Sequence, residues 1–152
     1  WYIIKNNVIM IKRTDIIFQA KTWIGTNFRY QGRIKKNNLN NGGVDCLGLI
    51  FGVCDEVGYT YKEKPLSYYD NIVYSKKPNF EILKEKFSLF FNIKDKKFLD
   101  IGDIILKQIS KEQYHLMFYN CNTVIHASAT AHKVVEHIND NLDNIIIYSL
   151  FK

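Results

Sequence analysis

Long apolar runs are missing from this 152-residue chain: none approaches the length of about 18 residues that crosses a bilayer, so no membrane span is expected. Cysteine is scarce and odd in number. Cys46, Cys54 and Cys121 make no complete disulfide framework, and no C-x-x-C pair exists. The histidines His126, His132 and His137 lack the H-x-x-x-H spacing of a helical zinc site, so no structural metal is expected. Repeats, low-complexity linkers and nucleic-acid-binding motifs are also lacking, which argues against a nucleic-acid partner. The Trp1–Thr14 stretch makes a poor signal peptide, because its apolar runs are short and lysines interrupt them. Synthesis in the cytoplasm is the resulting expectation. The chain opens on Trp, which makes Met10 a candidate natural start and Trp1–Ile9 an upstream extension.

What is present points to one globular domain over 1–152, with 1–13 as an N-terminal extension outside the core. An apolar fraction of 47%, with 14% aromatics, is enough to bury a core at this length. The net charge of +6 is spread over lysines at 35–36, 76–77, 84, 86, 94 and 96–97. It reads as a solvated basic surface, compatible with an anionic polymer as partner.

Helical spacing at Ile16, Ile17, Ala20, Trp23 and Ile24 predicts a first helix capped by Thr14 or Asp15 and stopped by Gly25. A long Gly/Asn-rich loop follows to Val44. A second helix runs from Cys46 to Gly58, and the irregular Lys62–Pro78 segment holds the cluster Tyr68, Tyr69 and Asp70. After Pro78, Phe80, Leu83, Phe87 and Phe90 form a third helical stripe. Beyond Gly102 the pattern becomes short strands: Asp103–Lys107, His115–Tyr119, Thr123–Ala127, Lys133–Glu136 and Asn144–Ser149. Helices first and then a meander of strands predict an α+β fold, with helices packed on an antiparallel sheet.

The segment GGVDCLGLI, Gly42–Ile50, carries the most chemistry. Asp45 is a favoured N-cap, which makes Cys46 the first helical residue. The unpaired N–H groups of a helix start favour a thiolate there, and the thiolate is the nucleophile. Such a cysteine needs a base, and the base needs an orienting group. His115 and His126 lie on successive predicted strands joined near Asn120, Cys121 and Asn122. A two-residue loop at Asn120–Cys121 would set Tyr119 opposite Asn122 and His115 opposite His126, on one sheet face. Cys54, Cys121, His132 and His137 read as ordinary structural residues.

In order along the chain, WIGTNFRYQG, GGVDCLGLI, GDIILK, HLMFYN and VIHAS resemble the blocks of the NlpC-type cell-wall cysteine peptidases. The resemblance spans roughly Ile16 to His137. It implies a minimal papain-like domain, with Cys46 as nucleophile, His115 as base and His126 as the orienting residue. Tyr30, with Asp45 beside the nucleophile, falls where the family contacts the oxyanion or substrate. Leu47 stands where the family usually has Ser. DCLGL, with Tyr68, Tyr69 and Asp70, looks more like the phage and gene-transfer-agent branch. The resemblance implies hydrolysis of an amide in a peptidoglycan stem peptide, typically between D-glutamate and a diamino acid, without a cofactor. Phage-like tail components are then candidate partners, with delivery to the cell wall by a phage-like particle or by lysis. Two other readings stay open: a wall-binding tail component that does not cut, and an amidase of the CHAP type. Acyltransferases of the lecithin-retinol type place histidine before cysteine, the reverse of the order here.

Overall fold

Five stretches of alternating apolar residues in the second half of the chain build the platform on which the helices sit. In a computed structural model of the chain, residues 2–4, 7–70, 80–111, 113–139 and 141–152 are described, with the backbone alone for 2–4 and 7–9. An N-terminal hairpin of β1 (Tyr2–Ile4) and β2 (Asn7–Ile9) precedes helix α1 (Arg13–Thr22). Strands β3 (Arg33–Ile34) and β4 (Gly43–Val44) form a short hairpin leading into helix α2 (Cys46–Glu56). A tight β5–β6 hairpin (Thr60–Tyr61, Lys64–Pro65) and a 3-10 turn (Leu66–Tyr69) follow, then helix α3 (Phe80–Phe90). The remaining strands are β7 (Asn92–Lys94), β8 (Ile104–Gln108), β9 (Tyr114–Asn120), β10 (Thr123–Ser128), β11 (Lys133–Ile138) and β12 (Ile145–Ser149).

These six form one antiparallel sheet in the order β11-β10-β9-β8-β12-β7. The α+β architecture agrees with the sequence expectation, but the sheet is not a plain meander. β8 to β11 run as one; β12 then returns to the outer side of β8, and β7, too short to read in the sequence, pairs at its edge.

Period-two alternation divides the sheet into two faces. Ile104, Leu106, Leu116, Phe118, Ile125, Ala127 and Val134 point to the helices. They pack with Ile16, Ile17 and Ala20 of α1 and with Leu47, Ile50 and Val53 of α2 in one buried core. Each fully buried aliphatic or aromatic side chain of this kind stabilises the fold by about 1.5–3 kcal/mol. The predicted stripe Phe80, Leu83, Phe87 and Phe90 is wholly buried on α3. Phe90 meets Phe51 of α2, and Phe87 meets Tyr148 of β12, edge to face. The opposite face holds the smaller cluster Ile105, Met117 and Val124, with Ile147 buried opposite Ile105, together with the histidines His115, His126 and His137.

One polar clamp joins the layers. Asp103, fully buried, accepts from Arg13 Nη1 at 2.7 Å, Lys94 Nζ at 2.6 Å and the Asp100 N–H at 2.9 Å. It fastens the start of α1 and the edge strand β7 to β8.

Two helix ends correct the sequence reading. α1 begins two or three residues earlier than a Thr14 or Asp15 cap requires. Lys12 is its N-cap residue, and Asp15, at the third helical position, accepts the Lys12 N–H at 2.9 Å. α2 does start at Cys46 with Asp45 as cap, but stops at Glu56, short of Gly58. Pro78 lies outside the described residues.

Candidate active site

The site is assembled from the start of α2, the hairpin before it, and the β9, β10 and β11 strands. Asp45 shapes the entry. Its Oδ1 accepts the Gly48 N–H at 2.8 Å, which caps the helix, and also meets Arg33 Nη1 at 2.8 Å. Its Oδ2 accepts the Gln31 N–H at 3.0 Å. Arg33 extends the network by a bidentate pair to Asp70, at 2.7 and 3.1 Å. The hairpin between Tyr30 and Cys46 is thereby tied both to the helix cap and to the turn holding Tyr68 and Tyr69. Glycine is required at two points of this packing. Gly42 has a φ of +65°, and a Cβ at Gly48 would come within 2.5 Å of the Gly32 carbonyl oxygen.

Cys46 sits at the helix start as its motif predicts, half-buried, with the backbone of Leu116 and Leu47 beside its thiol. Its charge state differs from the expectation. Burial, followed by the Asp45 carboxylate, pushes the thiol up to about 12, against the weaker pull of Leu116, Leu47 and Arg33. Desolvation and a neighbouring carboxylate outweigh the helix terminus, so Cys46 rests as a thiol.

His115 and His126 are brought together, though not by the predicted register. The observed pairs are Asn120 with Thr123 and Tyr119 with Val124, so the two-residue loop is Cys121–Asn122. The slip from the predicted register is two residues, which keeps every side chain on its face. His115 and His126 are therefore diagonal neighbours. His115 Nε2 bonds His126 Nδ1, with the rings edge to face and centroids 4.5 Å apart. Burial first, then His137 and Lys107, lowers His115 to about 4; burial, His115 and His137 lower His126 to about 3. Both rings are neutral at pH 7.

The β9–β10 pairing stops at Phe118 and Ile125, so the ladder is open beside Leu116 and His115. Cys46 reaches the sheet at this opening, with Leu116, next to His115 in the chain, as its backbone neighbour. Among the described residues the thiol makes no hydrogen bond to a histidine ring. His115 Nδ1, the nitrogen not used toward His126, is the one left for such a contact.

Tyr30 is exposed on the hairpin approach, and its phenol lies near that of Tyr114. Sequence reasoning missed three residues here. Tyr114 precedes His115, so strand alternation turns it to the helix side, next to Cys46, Asp45, Tyr30 and Arg33. Burial and the neighbouring Cys46 and Asp45 push its phenol upward, keeping it protonated. Arg33 carried no signal beyond its charge. His137 bonds His126 Nε2 through its own Nε2 at 2.5 Å; a histidine two strands on from His115 on the same face was a signal that alternation could have supplied. His132 lies in an exposed turn at a φ of 63°. Cys54 is buried, and Cys121 is exposed in the β9–β10 loop. Among the described residues, no group of three His, Cys, Asp or Glu side chains is placed to hold a metal ion.

Comparison with known proteins finds no matching family model and no matching curated protein. Solved structures do match. The P60 domain of an antigen from M. avium subspecies paratuberculosis aligns with a TM-score of 0.61 at 15% identity, over 92% of this chain and 95% of its own. The NlpC/p60 domain of the peptidoglycan hydrolase SagA aligns at 0.60 and 15% identity, over 91% and 99%. The chain has the NlpC/P60 fold. An N-acetylmuramoyl-L-alanine amidase from Bacteroides uniformis also matches, at 0.53 and 16% identity, over 90% and 97%. At these identities the likeness is one of fold. Within the NlpC/P60 fold of this chain, the thiol of a capped helix start lies at an open sheet ladder beside a neutral histidine pair.

Proposed function

We propose that this protein is a cysteine peptidase that hydrolyses an amide bond in the stem peptides of peptidoglycan. The observation that carries the reading is the placement of Cys46 on α2 against the open ladder beside His115, whose Nε2 is already committed to His126. The likeness in fold to a domain of a peptidoglycan hydrolase supports the substrate class. The D-glutamyl–diamino acid bond and delivery by a phage-like particle are the finer form of this reading. They rest on the motif resemblance, in which Leu47, here fully buried in the core, takes the usual place of Ser.

The charge states dictate the order of events. Thiol and imidazole are both neutral at rest, so the Cys46 proton passes to His115 Nδ1 as Sγ attacks the carbonyl carbon. The backbone N–H of Cys46, at the helix start, meets the developing oxyanion, with the phenols of Tyr30 and Tyr114 as further O–H donors. Collapse breaks the C–N bond, and the amine leaves with the proton from His115. Water, deprotonated by the same nitrogen, then cleaves the thioester to a carboxylate and regenerates the thiol. Asp45 acts indirectly: its oxygens hold the helix cap and the Gln31–Arg33 loop.

Incubation with purified muropeptides, with products read by mass spectrometry, tests this. Cleavage within the stem peptide by the natural protein, and none by C46A, is the expected result. A second reading, an amidase cutting between muramic acid and L-alanine, is favoured by the Bacteroides likeness, and release of intact stem peptide would establish it. Cleavage retained in C46A would sink both.

A further inference from the structure

Three histidines on neighbouring strands form a continuous line. His115 Nε2 bonds His126 Nδ1, His126 Nε2 bonds His137 Nε2 at 2.5 Å, and His137 Nδ1 bonds the Ile138 carbonyl oxygen at 2.9 Å. The rings stand edge to face, with centroids 4.5 and 4.6 Å apart and interplanar angles of 87° and 80°. The last bond decides all the others. A carbonyl oxygen only accepts, so His137 Nδ1 carries a proton. In a neutral ring, His137 Nε2 is then an acceptor, and His126 Nε2 must donate to it. His126 Nδ1 is then an acceptor in turn, and His115 Nε2 must donate. The one nitrogen left with a lone pair is His115 Nδ1.

We propose that His137 is a positioning residue that sets the tautomer of His115 through His126, leaving Nδ1 of His115 free to accept a proton. Without the Ile138 anchor, the His115–His126 bond could run in either direction. The reverse direction puts a proton on His115 Nδ1 and disables it as a base. The neutrality that the relay requires is consistent with the lowered values of His115 and His126. Lys107, opposite His115 on β8, is the cation that faces the line. The geometry also argues against a metal chelate. His126 directs its two nitrogens to different rings, so no single ion could replace both contacts.

The catalytic consequence rests on the proposed peptidase reading, but the tautomers can be read without it. In histidine-labelled protein near pH 8, nitrogen NMR should show the ring proton on Nε2 in His115 and His126 and on Nδ1 in His137. H137K presents only donors to His126 and should move the His115 proton to Nδ1; H137Q, whose amide oxygen accepts, should leave it on Nε2. In the muropeptide assay H137A should lose about 10-fold in kcat and H137K about 100-fold, the range for residues that orient a catalytic ligand. H137Q should recover most of the H137A loss. A His115 proton on Nδ1 in the natural protein, or one that H137K fails to move in a folded variant, overturns the relay. If the natural protein cuts no muropeptide, the function fails while the NMR result still decides the relay.

Discussion

The two faces of the six-stranded sheet have opposite characters. The face under α1 and α2 is closed and apolar, with Leu116, Phe118, Ile104, Leu106, Ile125 and Ala127 fully buried. The other face carries three histidines and Lys107 around the smaller cluster of Ile105, Met117 and Val124, with Ile147 buried opposite Ile105. The first face holds the protein together, and the second carries the residue proposed as the base. Because β9 alternates, Leu116 and His115 serve different faces while adjacent in the chain. Cys46, the proposed nucleophile, belongs to the closed face, and His115, its proposed base, to the open one. In the proposed reaction they meet where the β9–β10 ladder is unpaired, beside the Leu116 backbone.

The sharpest test of this division removes one reactive group from each face. Cys46→Ala and His115→Ala should each lower kcat/KM for stem-peptide cleavage by about 10^4-fold or more, as removal of a triad member does elsewhere. Both variants should keep the far-ultraviolet circular dichroism and melting temperature of the natural protein within a few degrees. The double variant should lose little beyond either single one, because the two groups act as a unit. Additive losses would mean that the faces do not cooperate.

The closed face is better challenged through its clamp. Asp103→Ala leaves the Arg13 and Lys94 charges facing a buried void, at an expected cost of about 3 kcal/mol. A fall in melting temperature of about 10 °C follows for a domain of this size. Cleavage measured well below that temperature should change little, because the clamp lies outside the group of residues around Cys46.

How much of each face could be read from the sequence follows from the physics of each. The closed face was legible, since apolar residues at strand and helix spacing report burial directly: the stripe Phe80, Leu83, Phe87 and Phe90 is buried in full. Its long-range parts were not. The return of β12 to β8 and the pairing of β7 depend on contacts that no local pattern carries. On the open face, the pairing of His115 with His126 was legible despite a wrong register, because a two-residue slip preserves the face. His137 was missed although alternation puts it on the same face, because a single polar residue on an outer strand gives no sign of its partner. The thiol state of Cys46 was not legible, because a helix start is visible in sequence, whereas burial and the aim of the Asp45 carboxylate are not.

Titration should affect the faces from opposite ends of the pH scale. His115 and His126 are lowered from the usual 6.5 to about 4 and about 3. The unfolded chain therefore binds protons that the fold refuses, and stability is lost as pH falls from 6.5 toward those values. Cys46 is raised from 9.0 to about 12, so the unfolded thiol ionises first and stability is lost as pH rises through that interval. Thermal melts across pH should show a plateau between about 6.5 and 9. H126F, which cannot bind the proton in either state, should flatten the acid side alone. An unchanged acid limb in that variant would show that the open face is not where the protons enter.

The smallest expected effect lies at the turn that sets the histidine register. Cys121 opens the β9–β10 loop with a φ of 61°, a left-handed conformation that costs an ordinary side chain about 1 kcal/mol. Its thiol is exposed, so little packing opposes a change. Cys121→Gly removes the strain and adds entropy to the unfolded chain, and these partly cancel. A net gain of about 0.5 kcal/mol is expected, read as a rise of one or two degrees in melting temperature. Cleavage should stay unchanged if the loop only fixes which residues of β9 and β10 lie across from each other. Cys121→Val places a branched side chain at the same φ and should lower the melting temperature instead. If both variants melt alike, the loop bends elsewhere, and the diagonal placement of His115 and His126 needs another cause.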